Sequence, residues 1–245
     1  MKRELLMEVA PGLYQMRLPL RNNPLGSINC YLVQGKEGWL LVDTGWDTAD
    51  AFESLESQLR ELSLQISDIS QIVVTHGHID HMGLSGRLQQ LSGCRLAIHE
   101  LDSVLLLPRR KEEWCMADWM RNNGVPDSEL DSLGMAPSSM LSYVTPARPD
   151  LLFKGGESIT IGGFQFQVLW TPGHSSGHIC LYEPSKRLLL AGDLVLSTIT
   201  PNISLHALSR SNPLGDYFDS LRKVGQLEVN MVLPGHGNVF HNLKE

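Results

Sequence analysis

Four side chains able to bind a metal stand within six residues in the run Thr75-His76-Gly77-His78-Ile79-Asp80-His81. Imidazoles and a carboxylate packed this densely repel or compete for partners unless a cation organises them. His76 and His78 are two apart in an extended turn, so they point the same way and can grip one ion. Asp80 and His81, where the chain turns into a helix, can face a second. Four local residues cannot close two coordination spheres, and three further places can supply the missing ligands. Val168-Leu169-Trp170-Thr171-Pro172-Gly173-His174 is a strand running into a His. Leu188-Leu189-Leu190-Ala191-Gly192-Asp193 is a strand running into an Asp, and Met231-Val232-Leu233-Pro234-Gly235-His236 is again a strand running into a His. Each candidate lies just past an apolar strand, beside a glycine that permits a sharp turn in a crowded place. Taken singly, each is most simply a hydrogen-bonded core or turn residue. With the His76 cluster they make one constellation. Pro234-Gly235-His236-Gly237 lacks the Lys and the following Ser or Thr of a phosphate-binding P-loop.

The elements that must position these residues follow from periodicity. Residues 28–33 and 39–42 read as two strands joined by the turn Gly35-Lys36-Glu37-Gly38, a hairpin. Phe52, Leu55, Leu59 and Leu62 recur at helical spacing within a helix over 51–64. A short buried strand, Ile72-Val73-Val74, leads into the His76 loop. A helix over about 83–91, a strand at 95–99 and strands at 164–170, 178–182, 188–191 and 229–233 continue the alternation, which places the chain in a layered α/β class. Between residues 100 and 150 the pattern changes, and a helical insertion followed by an irregular loop is expected. Trp114, Met116, Trp119 and Met120 in it can serve as an apolar lid over a substrate, although the same spacing suits any amphipathic helix packed on a core.

Composition narrows the rest. With 245 residues, 42% hydrophobic and 19% charged, the chain has material for one sizeable core, and a single domain over 1–245 is expected. A net charge of −7 offers no electrostatic footprint for a phosphate backbone, so a nucleic-acid partner is disfavoured. The N-terminal residues show no apolar h-region of a secretion signal, and no apolar run approaches the roughly 18 residues of a membrane span. Cys30, Cys94, Cys115 and Cys180 are scattered without a CxxC pair, which reads as buried reduced thiols in a cytoplasmic protein. His178 suits either a supporting or a strand-edge role, His206 a substrate-facing loop or a plain surface one, and His99 and His241 are expected in solvent.

These motifs resemble those of the metallo-β-lactamase-fold hydrolases, whose signature is a His-x-His-x-Asp-His loop followed at long range by His, Asp and His. His76, His78, Asp80 and His81 match the loop, and His174, Asp193 and His236 the later elements, over roughly residues 28–237. The resemblance implies a four-layer αββα sandwich with the metals at one edge of its two sheets. It assigns His76, His78 and His174 to a first ion, Asp80, His81 and His236 to a second, and Asp193 to both, with Asp43 in support. The ligand set suits two divalent ions, Zn²⁺ first, with Mn²⁺ or Fe²⁺ as alternatives. A bridging water that loses its proton near neutral pH is then the nucleophile, and Asp80 orients it and relays a proton to the leaving group.

Among relatives, lactonases tend to carry a Tyr soon after the bridging Asp, where this chain has Leu194-Val195-Leu196-Ser197. Glyoxalase II enzymes carry basic glutathione-binding residues there and a C-terminal helical domain, neither of which is evident. True β-lactamases usually lack the bridging Asp. The expectation is therefore a hydrolase of a small-molecule ester, thioester or lactone in the glyoxalase II or lactonase-like branch. An iron-dependent persulfide dioxygenase and a phosphodiesterase stand as alternatives.

Overall fold

A computed structural model describes residues 5–107, 116–132 and 141–243. Two sheets face one another. The first has seven strands in chain order: β1 (Leu6–Ala10), β2 (Leu13–Pro19), β3 (Ser27–Gln34), β4 (Trp39–Val42), β5 (Ile69–Val73), β6 (Arg95–His99) and β7 (Leu151–Phe153). It is antiparallel from β1 to β4 and parallel from β4 to β7. The second has five strands in the order β12 (Met231–Pro234), β11 (Leu188–Gly192), β10 (Ile179–Glu183), β9 (Phe164–Trp170), β8 (Ser158–Ile161). Here β11 and β12 are parallel and the other pairs antiparallel.

Side-chain alternation explains the layering. Along the central strands of the first sheet, Ile28, Cys30, Leu32, Leu41, Ile72, Leu96 and Ile98 point outward, into a core shared with α1 (Ala49–Glu61). Their alternates Tyr31, Val33, Leu40, Val42, Val73 and Ala97 point inward, onto Phe166, Val168, Ile179, Leu181, Leu190 and Leu233 of the second sheet. Strands apolar on both faces belong inside such a stack. The outer face of the second sheet, through Cys180, Leu189, Ala191 and Val232, packs on Val224 of the last helix, Pro213–Gly225. The result is helix, sheet, sheet, helix, the expected αββα order.

Helix α1 starts where the Thr48 side chain accepts the Ala51 N–H, and its Ala51, Phe52, Leu55 and Leu59 form the buried stripe. The helix expected over about 83–91 is α3 (Ser85–Ser92), and a further short helix, α2 (Ile79–Met82), precedes it. The break at Gly83 lets the chain press against the carbonyls of Gly45 and Tyr143, where a Cβ would not fit. After β6 come α4 (Glu100–Ser103), α5 (Met116–Asn122) and α6 (Asp127–Ser132), and residues 144–150, which lead into β7, form no helix. The last helix is α7 in this count. Strands β1, β2, β7 and β8 and helix α7 carry no motif and were not among the expected elements. Among the described residues no helix is long and apolar enough to cross a membrane.

Candidate metal centre

Strand direction gathers the site. Strands β4, β5 and β6 run parallel, and β9 and β12 share the direction of β11. Asp43, His76, His174, Asp193 and His236 each come just after the C-terminal end of one of these strands. Loops at such ends converge in α/β sheets, and here two sheets contribute to one edge.

All seven residues named from the sequence meet there. Three sets have ligand atoms within 4.8 Å of one another: His76, His78 and His174; His76, His81 and Asp193; and Asp80, His81 and His236. His76 and His81 are fully buried, His174, Asp193 and His236 nearly so, and His78 and Asp80 are half-buried.

Most of the rings are aimed by a hydrogen bond on the nitrogen facing away from the cluster. His81 Nδ1 donates to Asp43 Oδ2 at 2.7 Å, His174 Nδ1 to the Asn202 carbonyl at 2.8 Å, and His236 Nδ1 to the Ser27 carbonyl at 3.0 Å. Asp43 also accepts the Thr75 N–H and hydroxyl, both at 2.8 Å. Because that hydroxyl donates to a carboxylate, it is left to accept from His76 Nδ1 at 3.1 Å. The Nε2 atoms of these four rings thus face the centre, the arrangement in which outer partners fix tautomer and orientation for a metal. His78 differs, with its Nδ1 lying 3.0 Å from His76 Nε2.

The Nε2 atoms of His81, His174 and His236 and Asp193 Oδ1 are buried with no hydrogen-bond partner. They lie close to other ligand atoms: His81 Nε2 is 3.5 Å from Asp193 Oδ1, and His174 Nε2 and His236 Nε2 are 3.4 and 3.6 Å from Asp193 Oδ2. Unpartnered polar atoms are costly inside a protein, and four gathered in one cluster make a donor set that fits cations. Gly235 is part of the fit. A Cβ on it would stand 2.4 Å from Asp193 Oδ1 and 2.7 Å from the His81 ring.

The electrostatics divide the cluster. Burial, reinforced by neighbouring imidazoles, pushes His78 down to about 3 and holds His76 well below its ordinary value, so both are neutral. Burial also acts against charge on His81, but Asp43, Asp193 and Asp80 outweigh it and raise the ring well above the usual range. Burial raises Asp80, yet His81 and His236, whose Nε2 lies 3.2 Å from Asp80 Oδ2, hold its carboxyl at about 2. Asp193 is likewise held well below the carboxylate range.

Several supporting residues carry no motif of their own. Asn29 Nδ2 donates to the carbonyls of Pro234 and Gly237 at 2.9 and 3.0 Å, and the Tyr31 hydroxyl to Pro234 at 2.7 Å, so β3 holds the His236 turn. His178 is a supporting residue. Its Nε2 accepts the Asp193 N–H at 3.0 Å, which leaves the proton on Nδ1 for Thr171 Oγ1 at 2.8 Å. His99, expected in solvent, is buried and stacked on Trp170 with ring centroids 5.4 Å apart. It ends a central strand, and burial follows from that place rather than from its polarity. His241 is exposed as expected, and half-buried His206 accepts the Leu208 N–H within its own turn. Of the lid candidates, Trp119 and Met120 are half-buried on α5, and Trp114 lies outside the described residues, as does Cys115.

A family profile described as the Metallo-beta-lactamase superfamily matches residues 23–236. The chain is 33% identical over 227 residues to the "Probable metallo-hydrolase YqjP" of Bacillus subtilis, covering 87% of this chain and 68% of that protein. It is 30% identical over 222 residues to "Acyl-coenzyme A thioesterase MBLAC2" of Gallus gallus, covering 86% and 73%. A crystal structure of the metallo-beta-lactamase family protein TTHA1429 from Thermus thermophilus superimposes with a TM-score of 0.84 at 33% identity, covering 97% of this chain and 77% of that one. Fold, converging ligand loops and relatives agree, and the chain belongs to the metallo-β-lactamase superfamily.

Proposed function

We propose that the protein is a binuclear metal-dependent hydrolase acting on a small-molecule ester, thioester or lactone, with thioesters favoured. His76, His78 and His174 hold the first ion, Asp80, His81 and His236 the second, and Asp193 both. The observation that carries this reading is the convergence of ligand atoms from both sheets within 4.8 Å, several of them buried and otherwise unpartnered. The nitrogen-rich donor set suits Zn²⁺, with Mn²⁺ or Fe²⁺ able to compete. When bound, such ions supply Lewis acidity and water acidified enough to attack near neutral pH. Relatives named acyl-coenzyme A thioesterases favour the thioester.

The chain's own residues do the rest. Asp80, ionised and with its side chain 16% exposed, is more exposed than Asp193 or Asp43. It orients the attacking water through a hydrogen bond and passes a proton toward the leaving thiol or alcohol. The neutral rings of His76 and His78 keep their lone pairs for coordination. The chain works as one catalytic unit over 1–245, with an insertion at about 100–150. Cys30, Cys94 and Cys180, all free and buried, suit a reducing cytoplasm.

Elemental analysis of the purified protein beside a panel of acyl thioesters, esters and lactones tests the reading. Two ions per chain and chelator-sensitive thioester hydrolysis are expected. One iron with oxygen uptake and no hydrolysis would overturn it in favour of oxygen chemistry.

A further inference from the structure

We propose that Asp102 is a positioning residue that holds together the two loops carrying His76, His78 and His174, and so sets the affinity of the first ion. This rests on the ligand assignment above. Asp102 lies in α4, the first turn after β6, and is 2% exposed. Its Oδ2 accepts the Gly77 N–H at 2.8 Å and the Ser175 hydroxyl at 2.7 Å, and its Oδ1 accepts the Gly177 N–H at 2.7 Å. Gly77 sits between His76 and His78. Ser175 follows His174, and Gly177 precedes His178. One buried carboxylate thus ties the loop after β5 to the loop after β9, which belong to different sheets and have no strand pairing between them.

The approach is built in. A Cβ on Gly177 would stand 2.7 Å from the Asp102 carboxyl carbon and Oδ1. Both side-chain oxygens of Asp102 accept, so the three donors use a pair of acceptors. An asparagine of the same shape has one accepting oxygen, and its NH₂ would face an N–H. The loops would then separate or rotate, and the three rings they carry would lose their common focus. The second group has other supports, in Asp43 for His81 and in Ser27 and β3 for His236. A defect at Asp102 is therefore confined to the first ion. Outer partners of metal ligands typically change affinity by about 10–100-fold.

The test is titration of apo wild-type protein and of Asp102→Asn with Zn²⁺ against a chromogenic chelator, and with Co²⁺ followed by visible absorption. Wild type is expected to bind two ions. The variant is expected to bind one at unchanged affinity and the other about 10–100-fold more weakly, with the cobalt bands of a single site altered. Wild type binding no metal overturns the ligand assignment and this inference with it. Wild type binding two, with the variant equal to it in both affinities and spectrum, overturns this inference alone, as does equal weakening of both ions. If Asp102→Asn does not fold, Ser175→Ala decides, since it removes one donor and leaves the carboxylate. A few-fold loss at one ion supports the role, and none overturns it.

Discussion

The two halves of the centre are built differently. The His76, His78, His174 group is all nitrogen, and its first two rings are held neutral by burial. The Asp80, His81, His236 group has a carboxylate of its own and lies among Asp43, Asp193 and Asp80, which favour positive charge at its imidazoles. Its supports come from the first sheet: Asp43 after β4, and Ser27, Asn29 and Tyr31 on β3. Most supports serve one half only, although Asp43, which holds His81, also reaches His76 by way of Thr75, and Asp193 is within reach of rings from both halves. If the halves are independent, a support can be removed from one with little effect on the other.

The shared residue gives the largest effect. Asp193→Ala is expected to weaken both ions and cut kcat/KM by roughly 10³-fold, about 4 kcal/mol of transition-state stabilisation. Retention of two tightly bound ions in that variant would show that the halves need no common carboxylate. Next, Asp80→Asn is expected to lose about 10²–10⁴-fold in kcat at full metal loading. Near-wild-type turnover would remove Asp80 from the proton path and leave it a ligand only.

The supports sharpen the comparison further. Asp43→Asn takes a charged acceptor from His81 Nδ1, and affinity for the second ion should fall about 10–100-fold while the first is unchanged, as read by chelator competition. Equal loss at both ions would mean that Thr75, which Asp43 also holds, transmits the defect to His76. The smallest effect belongs to Tyr31→Phe. Pro234 keeps its bond from Asn29, so a cost of about 1 kcal/mol in thermal unfolding is expected, with at most a few-fold change at the second ion.

The insertion after β6 could be read only in outline. Its first turn, α4, carries Asp102, which stands in an unremarkable Glu-Leu-Asp-Ser run. No periodicity distinguishes a carboxylate that will be buried against two distant glycines from one on a solvated helix. His99 shows the same limit in reverse, since a polar residue at a strand end reads as exposed until β9 of the other sheet places Trp170 over it. The edge strands β1, β7 and β8 pair on one side only and have weaker patterns, so they too escaped.

By itself the sequence determined the chemistry and the frame that carries it. The density of ligand types in residues 76–81 has few explanations other than a cation, and the apolar runs before His174, Asp193 and His236 announce strands ending in functional loops. Both signals are local, set by residue type and by a side-chain period of two or of 3.6. Tertiary structure decided what depends on contacts across long separations. Asp43 reaches His81, Asn29 and Tyr31 reach the turn before His236, and Asp102 reaches Ser175 and Gly177. A buried hydrogen bond between residues far apart in the chain leaves no periodic trace in either segment, because what selects it is the cost of an unpaired polar group at one point in space.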